Sequence, residues 1–204
     1  MNSGTSEEQD GRDMARLASG QDPALNDLMD RHAGRLFHYL IRQLQNETDA
    51  AELAQETFVR VYQNRERFRA GASFSAWLYT IATNLVKDRF RWRSRHPQVS
   101  LEAERTAAGG SLGEVLPETR PGPGEALQME ERAEAVRNAV AALPEDLRTA
   151  LLLSEYEGLT HAEIGEVVGC SAKAVESRIF RARKQLRSEL EEEFAKETGG
   201  PTDL

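Results

Sequence analysis

A single cysteine in 204 residues, Cys170, excludes an internal disulfide and leaves no cysteine partner for a zinc site. The four histidines, His32, His38, His96 and His161, fall without metal-ligand spacing, so neither a metal nor another cofactor is expected. Glycine-rich phosphate loops, nucleophile elbows and paired-carboxylate patterns are missing, and the chain is expected not to be an enzyme. No apolar run approaches the ~18 residues of a membrane span. The acidic, polar opening MNSGTSEEQDGRDMARLASG is not a signal peptide, so a cytoplasmic protein without membrane insertion is expected. No β-rich segment occurs, which leaves an all-α fold.

Net positive charge is lacking too. The formal balance of −8 argues at first against a polyanionic partner. The charge is segregated by segment, however. Lys87 to Arg95 (KDRFRWRSR) carries five cations and one acid, while Ser188 to Leu204 carries six acids and one lysine. Local potential, rather than the sum, steers a polyanion.

The most structured signal lies at Thr160 to Arg187. Thr160 followed by Glu163 is a capping box that starts a short helix with Ile164, Val167 and Val168 on its apolar face. Gly169 supplies a left-handed stop, and Ser171 caps the next helix. There Val175, Ile179, Ala182 and Leu186 form one buried stripe, and six cations face one anion, Glu176, between Ser171 and Arg187. A helix–turn–helix whose second member is basic on its open face suits the DNA major groove. Cys170 in the turn reads as a small, partly buried residue.

Residues 1–21 read as a flexible tail with few large apolar groups. A helix is expected over Pro23 to Gln45, with a break at Asn46 to Thr48. The next, from about Asp49 to Arg65, sets Ala50, Ala54, Thr57, Phe58 and Val61 against an opposite face of Asp49, Glu52, Glu56 and Gln63. Such a face is either merely solvated or a docking surface for a basic helical partner. After the loop FRAGAS, Ser73 caps a long helix with Phe74, Leu78, Ile81 and Leu85 inward and Thr80, Thr83, Asn84, Lys87 and Arg91 outward. Phe90 and Trp92, laced among cations, suit stacking on bases, although Trp92 returns to the stripe face and is equally consistent with a core position.

Four of the seven prolines and five glycines then fall within residues 96–125, a linker of 30 residues. Fully extended it spans roughly 100 Å, enough for two bundles to address sites about two DNA turns apart, ~70 Å. Beyond it, helices are expected from Glu125 to Leu143, with Leu127, Val136, Val140 and Leu143 apolar, and from Pro144 to the Glu157–Gly158 stop. The expected architecture is two small helical bundles joined by a flexible linker, the second containing the helix–turn–helix, with an acidic tail at 189–204.

Three stretches, DAAELAQETFVRVY (Asp49 to Tyr62), FSAWLYTIATNLVKDRFR (Phe74 to Arg91) and LPEDLRTALLLSEYEGLTHAEIGEVVGCSAKAVESRIFRAR (Leu143 to Arg183), closely resemble the extracytoplasmic-function (ECF) group of bacterial RNA polymerase sigma factors. The likeness covers about residues 22–95, corresponding to region 2, and 126–188, corresponding to region 4. It implies a two-domain promoter reader, monomeric when free, that recruits the polymerase core and has an anti-sigma partner. Asp49, Glu52, Gln55 and Glu56 correspond to the face that docks on the clamp coiled coil of the largest catalytic subunit. Arg69 in the FRAGAS loop and Asn84 correspond to the pocket for a flipped base of the −10 element, with Lys87, Arg89 and Arg91 on phosphates. In the recognition helix for the −35 element, Glu176, Ser177, Phe180 and Arg181 correspond to base contacts and Lys173, Arg178 and Arg183 to backbone contacts. Glu176 departs from the basic or polar residue frequent there; a carboxylate suits a cytosine amino group instead.

Two other classes are compatible with parts of the pattern. A sigma-like decoy would only titrate an anti-sigma factor, but its relatives fuse a receiver domain whose alternating strands and helices are not found here. A stand-alone helix–turn–helix regulator would bind operators as a dimer and without polymerase.

Overall fold

The computed structural model describes residues 3–96 and 123–198, with side chains described for 6–96 and 129–194. The elements are α1 (Ser3–Ala18), α2 (Ala24–Leu44), α3 (Glu47–Gln63), a 3-10 turn (Arg65–Arg67), α4 (Phe74–Arg95), α5 (Pro123–Ala142), α6 (Glu145–Glu155), α7 (His161–Val168) and α8 (Ala172–Thr198). No strand occurs among the described residues. Most of the expected linker lies outside them.

Within the stretch expected as a flexible tail, Ser3–Ala18 forms α1 instead, and α1 is docked. Its two large apolar groups, Met14 and Leu17, are fully buried. Asp10 and Asp13 are buried as well, and both accept hydrogen bonds from Arg31 of α2, at 2.9 and 2.6 Å, while Asp10 also meets the His32 ring at 2.9 Å. Burial acts to raise the Asp13 carboxyl, but hydrogen bonds from Arg31 and Arg16 outweigh it and hold the group below the ordinary aspartate range. Two apolar anchors and a charge network thus do what a longer apolar stripe usually does.

Helices α2 and α3 pack as an antiparallel pair around a two-residue turn. Gln45 takes a left-handed conformation, φ 52°, to end α2, and the Asn46 side chain accepts from the Asp49 amide at 2.9 Å to start α3. Leu28, Leu36, Tyr39 and Leu40 of α2 join Ala50, Phe58 and Val61 of α3 and Phe74, Leu78, Ala82 and Val86 of α4 in an apolar core that continues into the second half of the chain. Thr83, expected outward, is instead buried, where its hydroxyl meets the Tyr39 hydroxyl at 2.8 Å. Trp92 is 41% exposed, so it is not core; it stacks on His96, with ring centroids 4.7 Å apart.

In the second group α6, α7 and α8 bury Leu151, Leu152, Leu153, Ile164, Val167, Val175, Ile179 and Ala182. Helix α5 contributes Val140 and packs on α8, while its Val136 stays exposed. Helix α8 continues to Thr198, so the first half of the expected acidic tail is helical.

The two groups are not held apart. Helix α7 packs on α4, and α6 on α2. Gln43 donates to the Thr149 hydroxyl at 3.0 Å, and Arg35 donates to the carbonyls of Tyr156 and Glu157 at 3.2 and 3.1 Å. The Tyr79 hydroxyl donates to the Glu157 carboxylate, and the Arg42 guanidinium lies 4.0 Å from the Tyr156 ring centre.

Candidate nucleic-acid interface

The helix–turn–helix is built by reciprocal capping. The Thr160 hydroxyl accepts from the Glu163 amide at 3.3 Å, and the Glu163 carboxylate accepts from the Thr160 amide at 2.8 Å. Partial burial acts to raise the Glu163 carboxyl, but its bonds to the Thr160 hydroxyl and amide prevail and hold it low. Gly169 ends α7 with φ 74°, and Ser171 starts α8 by accepting from the Ala174 amide at 3.2 Å. The turn closes so tightly that a Cβ on Gly165 would sit 2.6 Å from the Cys170 carbonyl oxygen. That approach sets the angle between α7 and α8.

With Val175, Ile179 and Ala182 buried, the opposite face of α8 is open. Glu176, Ser177, Phe180 and Arg181 all lie on it, and Phe180 is 70% exposed, an unusual position for a large apolar ring. Lys173 donates to Glu176 at 2.8 Å, and this hydrogen bond holds the Glu176 carboxyl below its ordinary range. The three cations expected on the DNA backbone differ in setting. Lys173 and Arg183 are exposed, the latter paired with Glu155, whereas Arg178 is half-buried beside Asp146 at 3.4 Å and the Cys170 sulfur at 3.6 Å.

On the first bundle, Arg69 is exposed in the loop that Gly71 turns with φ 81°, and Ser73 caps α4 by accepting from the Ala76 amide at 3.3 Å. Asn84 is exposed on α4. The basic run beyond it is largely occupied. Arg89 donates to Asp49 at 2.5 Å and to Glu52 at 2.9 Å, Arg93 also pairs with Asp49, and Arg91 pairs with Asp88. Lys87 is half-buried in a cleft between the bundles, lined also by Glu145, Asp146, Thr149 and Arg178.

Of the acidic face on α3, Asp49 is buried behind those arginines, while Glu52 and Gln55 are exposed and Glu56 is half-exposed in a pair with Arg60 at 2.8 Å. Val59, 40% exposed, extends the same stripe one turn further. Sequence reading passed over it, although its spacing of three from Glu56 and seven from Glu52 was the available signal. Nor did any pattern single out Tyr79 or Arg35, and Glu157 reads only as part of a helix stop; the contacts of all three join distant segments.

Among the described residues, no group of three or more His, Cys, Asp or Glu side chains is placed to hold a metal, and no helix is long and apolar enough to cross a membrane. What the fold and surface define is a helical DNA-binding protein with a helix–turn–helix in its second half. Residues 28–96 match Sigma-70 region 2, and residues 133–186 match Sigma-70, region 4. The chain is 32% identical to the RNA polymerase sigma-H factor of Pseudomonas aeruginosa over 187 residues, covering 91% of this chain and 95% of the relative. It is 32% identical to the ECF RNA polymerase sigma-E factor of Escherichia coli K12 over 180 residues, covering 86% of this chain and 91% of that one. Among solved structures, CnrH in complex with the cytosolic domain of CnrY superposes with a TM-score of 0.64 at 28% identity, over 90% of this chain and 97% of that one. The sigma factor RpoE of Bartonella quintana, solved with the anti-sigma factor NepR, shares the fold with a TM-score of 0.64 at 21% identity, over 83% of this chain and 98% of that one. The chain belongs to the sigma factors of bacterial RNA polymerase, in the ECF group. It is an alternative sigma factor, a transcription initiation factor that directs core RNA polymerase to promoters.

Proposed function

We propose that the open face of α8 reads the upstream promoter element, with Glu176, Ser177, Phe180 and Arg181 toward base edges and Lys173, Arg178 and Arg183 toward phosphates. The observation that carries this reading is the exposed quartet on a capped helix–turn–helix, with its one large apolar ring in solvent. Arg181 takes a guanine edge, a contact worth about 1 to 3 kcal/mol of discrimination. Arg69 and Asn84 hold a base extruded from the −10 element, and Lys87, Arg89 and Arg91 follow the strand. Extrusion costs a few kcal/mol of stacking, so a preformed pocket makes melting selective.

Docking on the clamp coiled coil of the largest catalytic subunit belongs to Glu52, Gln55 and Glu56, with Asp49 behind them. The functional units are then residues 22–95 and 126–188 on either side of a linker at 96–125. The protein acts as a monomer in the cytoplasm, supplies no catalysis of its own, and is held in check by an anti-sigma factor. The last point is supported by the solved sigma factor RpoE of Bartonella quintana, which is bound by the anti-sigma factor NepR. The test is transcription in vitro from core polymerase plus this protein, with transcript starts mapped genome-wide: shared upstream and −10 boxes are expected. Failure to bind core, or starts without common boxes, would overturn the assignment.

A further inference from the structure

We infer that α1 braces the loop that carries Arg69, and that Glu7 is a positioning residue for base selection in the −10 element, an inference that rests on the reading of this loop as the pocket for an extruded base. Helix α1 precedes the stretch that matches Sigma-70 region 2, and none of the promoter-facing residues named above lies on it. Yet it lies against both flanks of the loop, packing on the 3-10 turn before it and on α4 after it.

The loop is a tight turn that cannot hold itself in place. The Ala72 amide donates to the Arg69 carbonyl at 3.1 Å, and Gly71, at φ 81°, supplies the positive φ required at the third position of such a turn. Residues 69–72 are all exposed, so their placement depends on Phe68 and Ser73, the half-buried residues at either end. The Phe68 ring is held by Phe74 and Trp77, with centroids 6.2 and 5.3 Å away. At the other end the Ser73 hydroxyl, while capping α4, donates to the Glu7 carboxylate at 2.5 Å.

Helix α1 thus reaches both ends of the loop. The bond to Ser73 is direct and charge-assisted, and it fixes the rotation of the hydroxyl that starts α4. The Glu163 carboxylate also approaches this hydroxyl, but it is taken up by the Thr160 amide and hydroxyl, which leaves Glu7 as the acceptor. The second route is indirect. Asp10, on the same face of α1 as Glu7, meets the His32 ring, which packs edge-on against Phe74 at 5.0 Å, beside Phe68. Met14, Leu17 and the Asp13–Arg31 pair anchor the helix further along, so Glu7 is presented by a docked element. A loop held in one conformation penalises a wrong base, whereas a loop free to shift relaxes around it.

Two readouts test the brace separately from the pocket. In the free full-length chain, Glu7→Ala is expected to keep its helicity and to speed hydrogen exchange at the Ala72 and Ala76 amides about three- to tenfold, the worth of one net hydrogen bond. Glu7→Gln, which keeps an acceptor, is expected to stay near wild type. In reconstituted holoenzyme, on promoters randomised across the −10 element and read by transcript yield, Glu7→Ala is expected to flatten preference at one position by about the same factor while upstream preference is kept. A general loss of folding would lower yield at every promoter and move no preference. On a Ser73→Ala background, Glu7→Ala is expected to change nothing further, since its partner is gone. Unchanged exchange in Glu7→Ala overturns the proposal, as does unchanged −10 preference in that variant where Arg69→Ala flattens it, or full additivity with Ser73→Ala. Unchanged preference in Arg69→Ala removes the pocket reading, and base selection by Glu7 with it, while the exchange rates still decide whether α1 braces the loop.

Discussion

Arg89 and Asp49 are joined at 2.5 Å across α4 and α3, although the family pattern assigns one to DNA and the other to polymerase. Arg93 binds the other oxygen of the same carboxylate, and Glu52 takes the second nitrogen of Arg89. Asp49 is thus a structural clamp at the N-terminal end of α3, where a negative charge also complements the helix dipole. Asp49→Ala is expected to lower stability by about 1 to 3 kcal/mol, since it leaves two guanidinium groups facing each other. Glu52→Arg with Glu56→Arg, at exposed or half-exposed sites, is expected to weaken core binding at least about tenfold with stability changed by only about 0.5 kcal/mol. Thermal denaturation beside competition binding to core separates the two effects; unchanged core affinity in the double variant would remove the docking assignment.

Gly165 is the tightest point of the helix–turn–helix. A methyl group there meets backbone at 2.6 Å, and the Cys170 amide also donates to the Gly165 carbonyl at 2.9 Å, so the turn has no room to yield. Gly165→Ala is expected to cost about 1 to 3 kcal/mol by overpacking and to tilt α8 away from α7. Gly169→Ala, at φ 74° in open space, is expected to cost about 1 kcal/mol by backbone strain alone. A larger loss at Gly169 than at Gly165 in urea denaturation would contradict this ranking.

At the recognition face Glu176 carries two effects at once, because it both presents a carboxylate and ties down Lys173. Glu176→Ala is expected to relax base preference at one upstream position and to free Lys173 for phosphate, which steepens the salt dependence by about one counterion. Phe180→Ala is expected to leave stability unchanged and to reduce transcription from promoters that carry the upstream element. A randomised upstream library read by transcript yield resolves both; wild-type preference in the Glu176 variant would place that side chain in solvent only.

Docking of α1 is expected to depend on acid. The folded Asp13 carboxyl lies below its ordinary value near 3.8, so its contribution is complete above that value and is lost as pH falls through the folded pKa. Asp13→Asn is expected to be less stable than wild type at pH 7 and to converge with it as pH falls below 3.8 and through the folded Asp13 pKa. Denaturant midpoints across that range decide the matter, and equal midpoints at pH 7 would show that Arg31 gains nothing from Asp13.

The helices of both bundles were legible because their signals are local. The Thr160–Glu163 box, the Gly169 stop, the Ser73 cap and the stripe at Val175, Ile179 and Ala182 each depend on residues within a turn or two of one another. What escaped depends on pairing between distant segments. Thr83 reads as polar and outward until the Tyr39 hydroxyl, 44 positions away, arrives beside it. Helix α1 offers only Met14 and Leu17 to a hydrophobicity pattern, and the Arg31 network that completes its docking lies on another helix. The basic run at Lys87 to Arg95 reads as free for DNA by composition, yet Arg89 and Arg93 meet α3, which no periodicity within α4 reveals.

Helix α8 joins opposite charges on one rigid body. Its 27 residues form a rod of ~40 Å, with Lys173, Arg178, Arg181, Arg183 and Lys184 in its first half and Glu189, Glu191, Glu192 and Glu193 beyond. A duplex attracts one end and repels the other, so the rod arrives already aimed, basic end first. Encounter is thereby orientationally selected before any base is touched, and the benefit is kinetic: it should fade as salt shortens the Debye length to well below the length of the rod.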